Sequence, residues 1–177
     1  SLVCDLTDIN ADEKVATAAN KLGGASILIN NAGISKPLPF PEITDENWSS
    51  VMDVNLGIAF RLTRCLWSQL SASNGSVVNL ASFASKRSTL FGNNTSYVAA
   101  KHAINGLTRA TAFEGASQGI RINAVAPGVV DTELIRSVHD ADTRTKILGY
   151  IPQNRFAETS EIADVIVFLA SSRASHI

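Results

Sequence analysis

The strongest constraint on this chain is its alternation of short apolar runs with longer segments of helical period. Ile27-Leu28-Ile29 and Ser76-Val77-Val78-Asn79-Leu80-Ala81 are runs of strand length with little polar alternation. Such runs are expected to be buried on both faces, as in a parallel sheet. Ile120-Arg121-Ile122-Asn123-Ala124-Val125 is a third strand, and Leu2-Val3-Cys4 reads as the tail of another. Helical segments lie between them. The first runs from about Asp12 to Leu22, with Val15, Ala18, Ala19 and Leu22 on its apolar face. Asp8 or Asn10 is its expected cap, and Gly23-Gly24 its end. A long helix spans about Asp45 to Leu70 behind a Thr44 cap; its apolar residues fill more than one stripe, so burial on two sides is expected. A third helix carries Tyr97 and runs to about Gln118, where Gly119 stops it. Residues 132–150 are polar and weakly helical, of the kind that forms lids. A last helix covers Ser160 to Ala170, with Ser160 as cap and Ile162, Val165, Ile166 and Leu169 buried. Strand alternating with helix argues for an α/β fold built on a doubly wound parallel sheet.

A length of 177 residues suits a single domain covering the whole chain, and 45% hydrophobic residues suffice for a real core. A formal net charge of -1 gives no electrostatic reason to expect nucleic acid or an anionic membrane as a partner. Cys4 and Cys65 have no metal-ligand spacing, so no metal site is expected; they read as buried, reduced thiols of a cytoplasmic protein. His102, His139 and His176 read as surface residues. The chain opens at Ser1, its sole methionine is Met52, and it closes near what reads as the entrance to another strand. Truncation at both ends is therefore the expectation.

In a sheet of this kind ligands bind beyond the C-terminal ends of the strands. Asp5, Asn30 to Gly33, Ser82, Pro127-Gly128 and Thr132 all fall where a strand passes into a loop. Tyr97 and Lys101 are four residues apart, which sets a phenol and an ammonium on one helix face. A free phenol, with a pKa of about 10, is a weak base near neutrality. A cation at about 4 Å in an effective dielectric near 20 contributes roughly 4 kcal/mol, enough to draw that pKa toward the working range of a general acid/base. Asn55 stands inside a helix, where its propensity is poor.

Taken together, Asn30-Asn31-Ala32-Gly33, Val54-Asn55, Asn79-Leu80-Ala81-Ser82, Tyr97-x-x-x-Lys101, Arg121-Ile122-Asn123-Ala124-Val125-Ala126-Pro127-Gly128 and Thr132 make the chain resemble the short-chain dehydrogenase/reductase family. The resemblance covers essentially the whole chain and implies a Rossmann-like domain without the family's upstream glycine-rich loop or its closing strand. It implies a tetrad. Tyr97 would exchange the proton, Ser82 would hold the substrate oxygen, Lys101 would tune the phenol and bind the ribose, and Asn55 would position a water. It also implies NAD or NADP as cofactor, with Asp5 and Leu6 at the adenine and Asn31, Ala32 and Gly33 along the adenosine ribose. Pro127, Gly128, Val130 and Thr132 would cover the nicotinamide. The expected substrate is a small alcohol or ketone, and the expected assembly a homodimer or homotetramer pairing through the two long helices. The alternatives are a catalytically inactive fragment and a Rossmann-like binding or scaffold protein.

Overall fold

The computed structural model describes residues 1–89 and 92–177. Its frame is a parallel sheet of three strands in the order β1 (Ile27–Asn30), β2 (Ser76–Leu80), β3 (Arg121–Val125). Leu28 is in register with Val77, and Val77 with Ile122, so these three side chains share one face. On that face they meet Ile58, Leu62, Leu66 and Leu70 of α3 (Ile58–Ala72). Val15, Ala16 and Ala19 of α1 (Ala11–Lys21) and Ala112 of α4 (Thr95–Ala116) close the same cluster. Each fully buried leucine or isoleucine contributes about 1.5–3 kcal/mol. The opposite face carries α7 (Thr159–Ala170), tied to β2 by Ser76 Oγ donating to the Ala170 carbonyl at 3.0 Å.

β2 is buried at every position, as its apolar run predicts, whereas β1 is not. Leu28 and Asn30 are covered, but Ile27 and Ile29 are 52% and 37% exposed, because α7 packs on β2 and β3 and leaves that side of β1 open. Leu2-Val3-Cys4 forms no strand, and Val3 stands fully in solvent. α1 begins at Ala11 without a side-chain cap: Asn10 takes a left-handed φ of 62°, and it is the Asp8 carbonyl that accepts from Ala11 N. Leu22, expected on the apolar face, is exposed beyond the helix end. α7 is capped by Glu158 and Glu161 in a reciprocal box, not by Ser160, and Val165 is exposed.

The long helix is one rod with a defect in it. α2 (Asp45–Met52), capped by Thr44 Oγ1 accepting from Asn47 N, passes through a π-helical turn at Asp53–Gly57 into α3. A π-turn widens the helix and leaves carbonyls without a backbone donor. The Asn55 side chain supplies one, its Nδ2 donating to Val51 O at 2.9 Å and to Ile34 O at 2.8 Å. Gly57 leaves room for the paired Asp53 carboxylate and Arg61 guanidinium, which a Cβ there would push aside.

A ladder of buried polar side chains crosses beneath the strand ends. Asn30 Nδ2 donates to Asn79 Oδ1 at 2.8 Å and to Thr63 Oγ1 at 3.2 Å. Asn79 Nδ2 donates to Thr108 Oγ1 at 2.9 Å, whose hydroxyl donates to Ile104 O. It joins α3, β1, β2 and α4.

Candidate active site

A cavity of about 560 Å³ opens beyond the C-terminal ends of β1, β2 and β3. The strands deliver Asn31 and Gly33, Ser82, and Pro127, Gly128 and Val130 to its wall, and α4 delivers Tyr97 and Lys101. Asn55 enters from the π-turn, where the widened helix sets its amide against the Ile34 carbonyl. Thr132 closes one side as the cap of α5 (Glu133–Val138), its Oγ1 accepting from Ile135 N. All four residues of the expected tetrad therefore share one cavity.

Lys101 is buried, with its Nζ donating to the Leu80 carbonyl at 2.7 Å and standing 5.6 Å from the centroid of the Tyr97 ring. Burial brings its pKa down to about 8, so near neutrality it still holds a desolvated charge. Tyr97 differs from the sequence expectation. Loss of solvent pushes its pKa above the ordinary phenol value, and hydrogen bonding with Ser82 only partly offsets this. The ammonium stands 5.6 Å from the ring centroid, and in the ligand-free cavity its attraction for the phenolate is outweighed by burial. In this geometry Tyr97 is an acid holding its proton. Ser82 is buried in an extended conformation, its Oγ accepting from Ala84 N at 3.1 Å.

Asn55 Oδ1 is buried and has no hydrogen-bond partner among the described residues. A Cβ on Gly33 would lie 2.9 Å from that oxygen and 3.7 Å from Lys101 Nζ. Glycine thus keeps open a small polar space between an orphan acceptor and a cationic donor. A buried acceptor left bare costs about 1–3 kcal/mol, so this space suits a group that donates to Asn55.

Three expected contacts do not reach the cavity. The Asp5 carboxylate is exposed and accepts from Thr7 N and Thr7 Oγ1 at 2.8 and 2.7 Å. Leu6 packs on the core and its carbonyl accepts from Arg61, while Ala32 is not part of the cavity wall. Local turn chemistry holds Asp5, and among the described residues β1 has no neighbouring strand on that side to carry it toward the site. Several wall residues escaped the sequence reading: Asn94, whose Nδ2 donates to Ser35 Oγ at 2.9 Å, Ile147, and His139. Asn94 precedes Tyr97 by about one helical turn, a usable signal; Ile147 has none. His139 is half-buried, not a surface residue, and burial lowers its pKa. Leu134, Ile135 and Val138 line the cavity, while Leu90 and Phe91, also expected there, lie outside the described residues.

A family model described as enoyl-(acyl carrier protein) reductase matches residues 1–177. Acetoacetyl-CoA reductase of Shinella zoogloeoides is 37% identical over 166 residues, which is 93% of this chain and 68% of that protein. The decisive likeness is structural. A chain from Sinorhizobium meliloti, described provisionally as a short-chain alcohol dehydrogenase, superposes with a TM-score of 0.90 at 36% identity, covering 99% of this chain and 70% of that one. The chain belongs to the short-chain dehydrogenase/reductase family. Ligand-free aldohexose dehydrogenase of Thermoplasma acidophilum superposes equally well, at 30% identity over 99% of this chain and 72% of that one. As a member of this family the chain is an oxidoreductase with the Rossmann-like fold, and the family works with nicotinamide cofactors in general. The donor and acceptor set of the cavity suits a cofactor that carries hydroxyl groups. Lys101 keeps two donors free of the Leu80 bond, Asn55 Oδ1 is a free acceptor, and Gly33 and Gly128 leave their backbones approachable.

Proposed function

We propose that this protein interconverts a secondary alcohol and a ketone with NAD or NADP, and that Tyr97 is the general acid/base. The observation that carries the reading is the convergence of Ser82, Tyr97 and Lys101 on one cavity at the strand ends. Bound there, the nicotinamide supplies or takes up the hydride. Ser82 Oγ donates to the substrate oxygen and holds it near the phenol. In the reducing direction Tyr97 gives its Oη proton to that oxygen as negative charge develops, and the oxygen leaves as a hydroxyl. Lys101 stabilises the tyrosinate left behind and binds ribose hydroxyls with its remaining donors. Asn55 Oδ1 holds a water that returns a proton toward Lys101. Pro127, Gly128, Val130 and Thr132 would cover the nicotinamide. Asn31 and Gly33, expected along the adenosine ribose, would instead border the nicotinamide ribose beside Lys101. Asp5, Leu6 and Ala32, outside the cavity wall, would be left to the adenosine end.

The apolar wall of Leu134, Ile135 and Val138 supports a ketone with an apolar body over a polyol. The likeness to an acetoacetyl-CoA reductase points to a 3-oxoacyl thioester as the first compound to try. Free thiols at Cys4 and Cys65 suit a reducing, cytoplasmic setting.

The test is turnover of acetoacetyl-CoA with NADH or NADPH by wild type and Tyr97→Phe. Loss of a general acid is typically worth 10²–10⁴-fold. A Tyr97→Phe protein keeping more than about a tenth of the wild-type kcat would sink the assignment. Lys101→Met should weaken both rate and cofactor affinity; loss of rate alone removes the ribose contact from the reading.

A further inference from the structure

Two short helices contribute to the cavity wall: α5, and α6 (Ala141–Leu148). They contribute Leu134, Ile135, Val138, His139 and Ile147 to its wall, yet little apolar packing holds them there. α5 has no buried residue, and α6 has only Ile147. At the root of this excursion the outgoing and returning chains run side by side. Val130 bridges to Ala157, Asp131 N donates to Ala157 O at 2.9 Å, and Ala157 N to Val129 O at 3.0 Å.

The Asp131 side chain is outside the cavity wall and faces the two helices from that root. Its Oδ1 accepts from Arg136 Nε of α5 at 3.1 Å and from Arg144 of α6 at 3.3 Å. The Arg144 guanidinium lies over the Phe156 ring on the returning chain, 5.6 Å from its centroid. Arg144 Nε is buried without an acceptor among the described residues. Arg144 is thus positioned at the cost of an unmet donor, and Asp131 is the anion that holds it.

We propose that Asp131 is a positioning residue for the reaction: one carboxylate clamps α5 and α6 over the substrate. This rests on the reading of the cavity as a ketone site, but the clamp itself can be measured without turnover. Asp131→Asn keeps the shape and removes the charge. Two partly exposed ion pairs on one oxygen are each worth up to about fivefold, so amides of residues 133–148 should exchange with solvent deuterium roughly tenfold faster. High salt should speed the same exchange in wild type and leave Asp131→Asn unchanged, because screening has nothing left to weaken. Asp131→Glu, a carboxylate still within reach, should restore most of the protection, and Lys14→Gln, which removes a distant surface pair with Asp8, should change nothing.

With acetoacetyl-CoA as substrate, Asp131→Asn should raise KM roughly tenfold at nearly constant kcat, since Tyr97 and Ser82 are not moved. Unchanged exchange in residues 133–148, or a fall in kcat at constant KM, overturns the clamp. A wild-type protein that turns over no ketone overturns the functional reading instead, and the exchange and salt data still decide the role of Asp131.

Discussion

Lys101 shows how a single residue is placed against its own interest. Its ordinary pKa of 10.5 falls to about 8 because the ammonium is buried against the sheet. Between those values the unfolded chain carries more protons than the native one, so this group makes stability rise with pH from about 8 to 10.5. The missing stability below pH 8 is roughly 3 kcal/mol. Thermal unfolding across that window should show a rising component in wild type that Lys101→Met lacks; equal slopes in the two proteins contradict the burial argument. Tyr97, whose pKa is raised, does the reverse: its contribution is full below the free-phenol value and declines at higher pH. In the absence of ligand the phenol is protonated across the physiological range. Alcohol oxidation, which needs the tyrosinate, should therefore accelerate with pH, and the profile of kcat against pH measures this.

At the scale of elements, the polar ladder Thr63–Asn30–Asn79–Thr108 sets the height of two helices against the strand ends. Thr63 lies on α3 beyond Asn55, and Thr108 on α4 beyond Lys101, so the ladder governs where the site residues stand. Thr108→Val is nearly isosteric and deprives Asn79 Nδ2 of its acceptor inside the core. A buried donor without a partner costs about 1–3 kcal/mol, so the urea midpoint should fall with the slope of the transition unchanged. A variant as stable as wild type would mean that water reaches Asn79. The π-turn belongs at this scale too. The sequence announces a helix through Asn55, but only the tertiary contact with Ile34 gives its widened turn a reason to persist.

For the whole molecule, the open side of β1 is the weak point. It pairs only with β2 among the described residues and exposes Ile27 and Ile29 on a short edge strand. Such an edge is a template for pairing with another chain. Ile27→Lys should raise the concentration at which light scattering first reports aggregation, with little change in far-ultraviolet circular dichroism. No gain in that concentration clears the edge of blame. Phe60 on α3 and Phe113 on α4 are exposed as well, at 46% and 88%. If the two long helices pair across a dimer, as the family resemblance suggests, Phe113→Glu should move the protein to monomer mass in sedimentation equilibrium.

The sequence by itself determined what depends on neighbours along the chain. β2 is legible because an uninterrupted apolar run needs cover on both faces, and the spacing of Tyr97 and Lys101 is a helical repeat. The Thr44 cap and the stop at Gly119, with its φ of 75°, are equally local. Asn55, Ser82, Tyr97 and Lys101 could be named together only through the family resemblance their motifs carry, and it is the fold that brings them to one cavity. What lay beyond the sequence depends on groups far apart in the chain. The exposure of Ile27 and Ile29, the separation of Asp5 from the cavity and the place of Ile147 in the wall all follow from which elements pack together. The state of Tyr97 was decided in the same way. Spacing brought a cation near the phenol, but the Leu80 carbonyl holds that cation 5.6 Å from the ring centroid, and burial outweighs its attraction.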